Sequence, residues 1–210
     1  MEPINTVAER IKQKAHDLFM QFGLRSVSMD DIATALGVSK KTIYQYYADK
    51  DALANEVIAD LLNGNMCRCE ADVKASKNAI HELFLAMEFM TEMFSKMNPS
   101  LLFDLQKYHP EAFSNFLKFK NDYIYNMVMA NIKRGIAEGL YRDDFNAEVI
   151  TRFRVSSMMI SFNPEFHNSV KLDVSTIEEE LLLYFLYGMV SPKGYKLINK
   201  YKEERKNNDK

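Results

Sequence analysis

Apolar residues recur along the first fifty positions with a helical period that stops abruptly at glycines. Val7, Ile11, Ala15, Leu18, Phe19 and Phe22 predict a first helix from about Asn5 to Phe22, closed by Gly23. Ser28, followed three residues later by Asp31, is the capping-box pattern that starts a second helix, with Ile32, Ala33 and Leu36 as its stripe. Gly37 falls where that helix must stop and reverse, and a residue without Cβ enters left-handed backbone at least cost. Ser39 caps a third helix by accepting from its free N–H groups. Ile43 and Tyr47, four apart, face inward, which leaves Lys40, Lys41, Thr42, Tyr44, Gln45 and Tyr46 for the outside. Asp49 caps a fourth helix that buries Leu53, Val57, Ile58, Leu61 and Leu62.

Beyond residue 78 the chain turns rich in Met, Phe, Leu and Tyr. Helices are predicted near 78–97, 99–108, 110–138, 146–162 and 174–190, with a short one near 193–203, punctuated by Pro99, Pro110, Gly139, Pro164 and Pro192. The fold class is therefore all-α: a three-helix helix-turn-helix domain over residues 1–50 and a larger helical domain over 51–210. Residues 146–162 and 177–190 are apolar almost all round, so one face must bury against something besides their own domain. A second copy of the chain in a homodimer is the simplest partner.

The third helix carries the chemistry. Barely two turns long, it exposes two lysines, two tyrosines, a threonine and a glutamine, a surface that packing explains poorly and a DNA groove explains well. A second candidate site lies in the body, where Phe84, Met87, Met90, Phe94, Phe103, Tyr123, Met127, Phe153 and Tyr184 are suited to line a pocket for an apolar or amphipathic ligand. Ser157, with Ser156 and Ser161, supplies polar anchors. Each of these residues fits plain core packing equally well.

Composition narrows the classes. The chain has 210 residues, 47% hydrophobic and 27% charged, with only seven Gly and five Pro, as expected of a full helical core. No apolar run reaches the ~18 residues that a membrane span needs. The first fourteen residues are amphipathic instead of basic then apolar, unlike a signal peptide, and the expected location is cytoplasmic. Cys67 and Cys69, two apart in a helix, point to different sides and predict no disulfide; Cys67-Arg68-Cys69 reads as a thiol sensor or, more simply, as incidental. The net charge of −2 is uneven. Residues 1–50 carry seven basic against six acidic side chains, residues 51–195 fourteen against twenty, and residues 196–210 six against three. The head is thus less acidic than the body, with positive charge gathered at Lys40, Lys41 and Lys50, and the basic end reads as a solvated tail. His16, His81, His109 and His167 show no metal-ligand spacing, and no P-loop, nucleophile elbow or dinucleotide fingerprint appears. No metal, cofactor or catalytic residue is expected.

Residues 7–58 resemble the DNA-binding domain of the TetR family of transcriptional repressors through the run IATALGVSKKTIYQYYADKDAL. The resemblance implies a homodimer that binds a palindromic operator in double-stranded DNA and is released by a small-molecule effector in the C-terminal domain. It implies phosphate contacts from Ser28, Tyr46 and Lys50, and groove contacts from Thr42, Tyr44 and Gln45. Ser39, Lys40 and Lys41 would touch bases or backbone at the helix N-terminus. Tyr47 stands where the family often has phenylalanine, as a core residue whose hydroxyl finds the surface. Two alternatives stay open: a helix-turn-helix regulator whose body binds a protein partner, and a helical enzyme or carrier with an incidental helix-turn-helix.

Overall fold

The computed structural model describes residues 6–95 and 97–208, which form twelve α-helices and one π-helical turn. They fall into two compact units. The first holds α1 (Val7–Phe22), α2 (Met29–Leu36), α3 (Lys40–Tyr44), the part of α4 (Lys50–Ala75) up to Asn65, α6 (Leu101–Tyr108) and α7 (Pro110–Lys118). The second holds the rest of α4 from Met66, α5 (Ala79–Phe94), the π-turn Phe119–Ile124, α8 (Tyr125–Ala137), α9 (Ala147–Ser157), α10 (Pro164–Val170), α11 (Val174–Met189) and α12 (Pro192–Asn208). Division by compactness therefore runs inside α4, whereas the sequence places the change of role at the start of that helix.

In the first unit Thr6 caps α1 through a complete box: its hydroxyl accepts from Glu9 N at 3.3 Å, and its N–H donates to the Glu9 carboxylate at 2.7 Å. Ile11, Ala15, Phe19, Leu24, Ile32, Ile43, Leu53 and Val57 form the core. Val7 and Phe22, expected in the buried stripe, are exposed at the two ends of α1. The expected start at Asn5 lies outside the described residues. The region of α6 is tied to α1 and the turn after it: Asn98 N donates to Met20 O at 2.7 Å, and Arg25 N donates to the Asp104 carboxylate at 2.9 Å.

The second unit packs Ile80, Phe84, Met87, Ile132, Leu186, Met189 and Ile198 from α5, α8, α11 and α12 into one core. A polar network closes one end of it. Arg134 reaches Glu82 at 3.0 Å and Glu138 at 2.8 Å, and Glu138 in turn accepts from the main-chain N of Ala79 at 2.8 Å. Gly135 is required here, because a Cβ would stand 2.0 Å from the Tyr141 ring. A second buried pair, Arg154 to Glu178 at 3.2 Å, joins α9 to α11, and the Ser161 hydroxyl donates to Glu178 at 2.7 Å.

Four expectations change from residue 110 onward. The helix foreseen over 110–138 is broken into α7, the π-turn and α8. The helix foreseen over 146–162 ends at Ser157 and gives way to turns, after which residues 164–170 form α10, read beforehand only as punctuation at Pro164. The last helix runs to Asn208, longer than foreseen, with Pro192 in its first turn where a missing N–H costs nothing. Nor is α9 apolar all round, since Thr151, Arg154 and Ser157 are its buried polar residues.

Glu178→Leu strands a buried guanidinium and is expected to destabilise the protein by about 3–5 kcal/mol in urea unfolding. Removing both charges, as Arg154→Met with Glu178→Leu, is expected to restore most of that loss. A single mutant of wild-type stability would show that the pair is not effectively buried.

Candidate nucleic-acid interface

The helix-turn-helix is assembled from caps. Ser28 Oγ accepts from Asp31 N at 3.2 Å, while the Asp31 carboxylate accepts from Ser28 N at 2.8 Å and from the Ser28 hydroxyl at 2.6 Å. Those bonds hold the Asp31 carboxyl below its ordinary value. Gly37 has φ +67°, the left-handed conformation expected of it, and Val38 N closes the turn on Ala33 O at 3.0 Å. Ser39 Oγ then accepts from Thr42 N at 3.1 Å and lies 2.8 Å from the Thr42 hydroxyl. The α-helix that follows has five residues and continues as a turn in which Tyr46 N and Tyr47 N both donate to Ile43 O at 3.0 Å.

Two side chains seat this element. Ile43 is fully buried. Tyr47 is buried too, and its hydroxyl donates to Ala8 O on α1 at 3.2 Å instead of reaching the surface as foreseen. Burial, first among the causes, pushes its phenol up to about 12, so it stays a neutral donor at any physiological pH.

The opposite face is open. Tyr44 is 45% and Tyr46 48% exposed, and Ser28, Ser39, Lys40, Lys41 and Gln45 are exposed beside them, with Thr42 half-buried. Two of the lysines are already engaged. Lys40 Nζ pairs with Asp30 at 2.7 Å, a contact that raises its pKa. Lys50, half-buried, donates to Leu24 O, and burial pulls its pKa down against the attraction of Asp104, Asp51 and Asp31. One of its three N–H donors is thereby spent, as is the Ser28 hydroxyl proton. Asp30 was missed in the sequence because it lies ten residues from Lys40, a spacing with no local meaning.

The residues proposed for a ligand pocket do not share one environment. In the second unit Phe84 and Met87 belong to the close-packed core, with Met90 partly buried against it, and Phe84 meets the Tyr201 ring at 5.4 Å. Phe94 sits edge-on to Phe162, and Tyr123 stacks on Phe119 and donates to Met66 O at 3.0 Å. Met127 is half-buried; Ser157 is buried and donates to Arg154 O at 2.8 Å. Phe153 and Tyr184 face outward, 52% and 75% exposed, and Phe103 is an exposed residue of the first unit. Of the three inner serines, Ser156 is exposed and the other two serve the Arg154–Glu178 cluster.

Residues 11–57 match the model of the bacterial regulatory proteins of the tetR family. Over 185 residues the chain is 27% identical to an uncharacterized helix-turn-helix transcriptional regulator, YvaF, of Bacillus subtilis, covering 87% of this chain and 95% of that one. It is 22% identical over 153 residues to the transcriptional repressor KstR2 of Mycobacterium tuberculosis, covering 71% and 76%. The solved structure of the ketosteroid regulator KstR2 superposes with a TM-score of 0.60 at 20% identity, over 90% of this chain and 97% of that one. A similar likeness, TM-score 0.60 at 17% identity over 85% and 97%, holds for the Bacillus subtilis regulator FadR solved with stearoyl-CoA. Residues 11–57 thus carry the segment that defines the tetR family.

The matched segment contains every residue of the exposed face just described. Among the described residues no cluster of three or more His, Cys, Asp or Glu is placed to hold a metal ion, and no helix is long and apolar enough to cross a membrane. Cys69 is no ready thiolate, since burial pushes its thiol up to about 11. In this head, Tyr47→Phe removes the bond to Ala8 O, leaving that carbonyl only its bond within α1. Thermal unfolding is expected to show a loss of about 1 kcal/mol, with the exposed face unchanged. No loss would mean that water serves Ala8 O as well as Tyr47 does.

Proposed function

We propose that this protein is a ligand-responsive transcriptional repressor of the bacterial cytoplasm, binding a palindromic operator in double-stranded DNA as a homodimer. The observation that carries the reading is the division of α3 and its following turn. Ile43 and Tyr47 fix the element, while Lys41, Tyr44, Gln45 and Tyr46 stand free of any packing role. In a major groove, Thr42, Tyr44 and Gln45 reach base edges, and Ser28, Ser39, Lys40, Lys41, Tyr46 and Lys50 hold the phosphates that set its register.

The exposed apolar residues of α9 and α11 support the dimer. Val149, Phe153 and Ile160 stand out from residues 146–162, and Tyr184 and Tyr187 from α11. Large apolar side chains grouped in this way favour a partner surface over water. In the dimer two heads meet half-sites about 34–36 Å apart, or a little more.

A small apolar or amphipathic effector in the second unit then favours a conformation whose heads no longer match that spacing. The methionine and aromatic content of the unit suits such a ligand, and the neighbours solved or named for a ketosteroid and for stearoyl-CoA point the same way. The continuous α4 is the covalent route from one unit to the other. Release requires only that the effector bind the two conformations unequally.

Tyr44→Ala is expected to abolish operator preference, measured by electrophoretic shift against scrambled DNA, without changing the fold. Lys50→Ala is expected to weaken all sequences alike and to lower the salt slope by about one. An operator-specific defect in Lys50→Ala would transfer that residue from the backbone to the bases.

Phe153→Glu combined with Tyr184→Glu is expected to convert a dimer to monomers in sedimentation velocity and to cut operator affinity at least tenfold. Retention of the dimer would move the interface elsewhere.

A further inference from the structure

His109 ends α6 and opens α7. Its N–H donates to Leu105 O at 3.0 Å, its carbonyl accepts from Phe113 N at 3.0 Å, and Pro110 follows directly. The ring is only 5% exposed and packs against the first turn of α4, where the Asp51 carboxylate lies 2.8 Å from Nδ1. That contact lacks hydrogen-bond geometry. Among the described residues, Nδ1 of His109 is the one buried side-chain nitrogen or oxygen that no hydrogen bond satisfies. Native structures keep few such atoms, because each costs stability.

Charges of both signs surround the imidazole. Asp51 and Lys50 act on it from α4 and Asp104 from α6, whereas Glu111, the acid in the first turn of α7, accepts from the Asn55 amide at 2.7 Å. Burial, the largest influence, disfavours the cation, and Lys50 adds to that. The pKa therefore falls below its ordinary 6.5 despite the attraction of Asp51 and Asp104. Asp51 does not reverse the balance, since its side chain is 68% exposed and water screens its charge. The seated ring is thus neutral, and a ring released into water takes up a proton more readily. The seated arrangement has its full stability above pH 6.5 and loses it as the pH falls from there through the lower pKa of the buried ring.

The turn that carries Asp51 also carries Lys50, which donates to Leu24 O and stands among the phosphate contacts of the proposed operator complex. Asp104, on the helix that His109 ends, accepts from Arg25 N at 2.9 Å, one residue beyond Leu24. The α6–α7 corner, the start of α4 and the segment leading to α2 are therefore joined around this ring. We propose that His109 is a proton-operated latch between the α6–α7 corner and the first turn of α4. Neutral, it keeps the corner seated and Lys50 in place for DNA; protonated, it releases both. The latch rests on the operator-binding reading and adds to it an input that needs no ligand, the pH of the surroundings.

The imidazoles of the full-length protein are titrated by NMR, with His109 assigned by the loss of its signal in His109→Asn. Operator affinity is measured on a duplex selected from a random pool, at pH values of about 7.5 and 5.5 that bracket the ordinary histidine range. His109 is expected to titrate below 6.5. On acidification wild type is expected to lose about fivefold more operator affinity than His109→Asn does. His109→Gln provides the same comparison should the asparagine variant fail to fold. Asp51→Asn removes an attraction for the proton, so it is expected to lower the His109 pKa further and to enlarge the acid loss. A ring with only a packing role would leave the pH dependence of all these proteins alike.

A His109 pKa at or above 6.5, or equal pH dependence in wild type and both neutral variants, overturns the latch and leaves the operator reading standing. Failure of wild type to bind any duplex at either pH overturns both.

Discussion

A helix of five residues cannot hold itself in water, because its few internal hydrogen bonds do not repay the ordering of its backbone. The conformation of α3 is therefore borrowed from its surroundings, and Ile43 is the lender. Fully buried, it accepts through its carbonyl the N–H groups of Tyr46 and Tyr47, so one residue fixes both the apolar seat and the turn that ends the helix. Ser39 settles the other end, and the Tyr47 hydroxyl ties the assembly to α1. The backbone of Tyr44, Gln45 and Tyr46 is thereby held in place while their side chains stay exposed, an arrangement that lowers the ordering cost of any binding there.

The second unit is built on a different balance. Its core carries charged groups that demand partners: Arg134 gathers Glu82, Glu138 and Ser76, and Arg154 gathers Glu178. Satisfied networks of this kind contribute less stability than apolar packing of the same volume, but they permit few alternative arrangements. Arg134 fixes the entry of α5, where Asn131 also accepts the Tyr141 hydroxyl and donates to Ala79 O.

Locally determined features were readable from residue types. The Ser28–Asp31 box, the left-handed Gly37, the Ser39 cap and the Asp49 cap, which accepts from Ala52 N at 2.8 Å, each involve groups within a few positions of one another. Whatever depended on distant partners was not readable. Leu24 lies twenty-six residues from Lys50, and no spacing rule predicts that its carbonyl takes that ammonium. The π-turn adds one residue to a long apolar pattern, too small a shift for a period of 3.6 to reveal. Phe84 and Phe153 looked alike as helical aromatics, yet one is core and the other open to solvent, because a helix that is apolar on more than one face does not reveal in its sequence which face its own domain covers. The placement of Lys120 is the extreme case: position on a helix gives no hint that a lysine is buried.

Charge in the head completes the account of selectivity. A nearly neutral head on a chain of net charge −2 has little non-specific attraction for DNA. The pair between Lys40 and Asp30 lowers it further, since phosphate must compete with a carboxylate already 2.7 Å from the ammonium. In the proposed complex, affinity therefore depends on the few contacts that form only when Thr42, Tyr44 and Gln45 find their bases. A modest change of head spacing then suffices for release, because little sequence-independent binding remains to hold the protein once those contacts are lost.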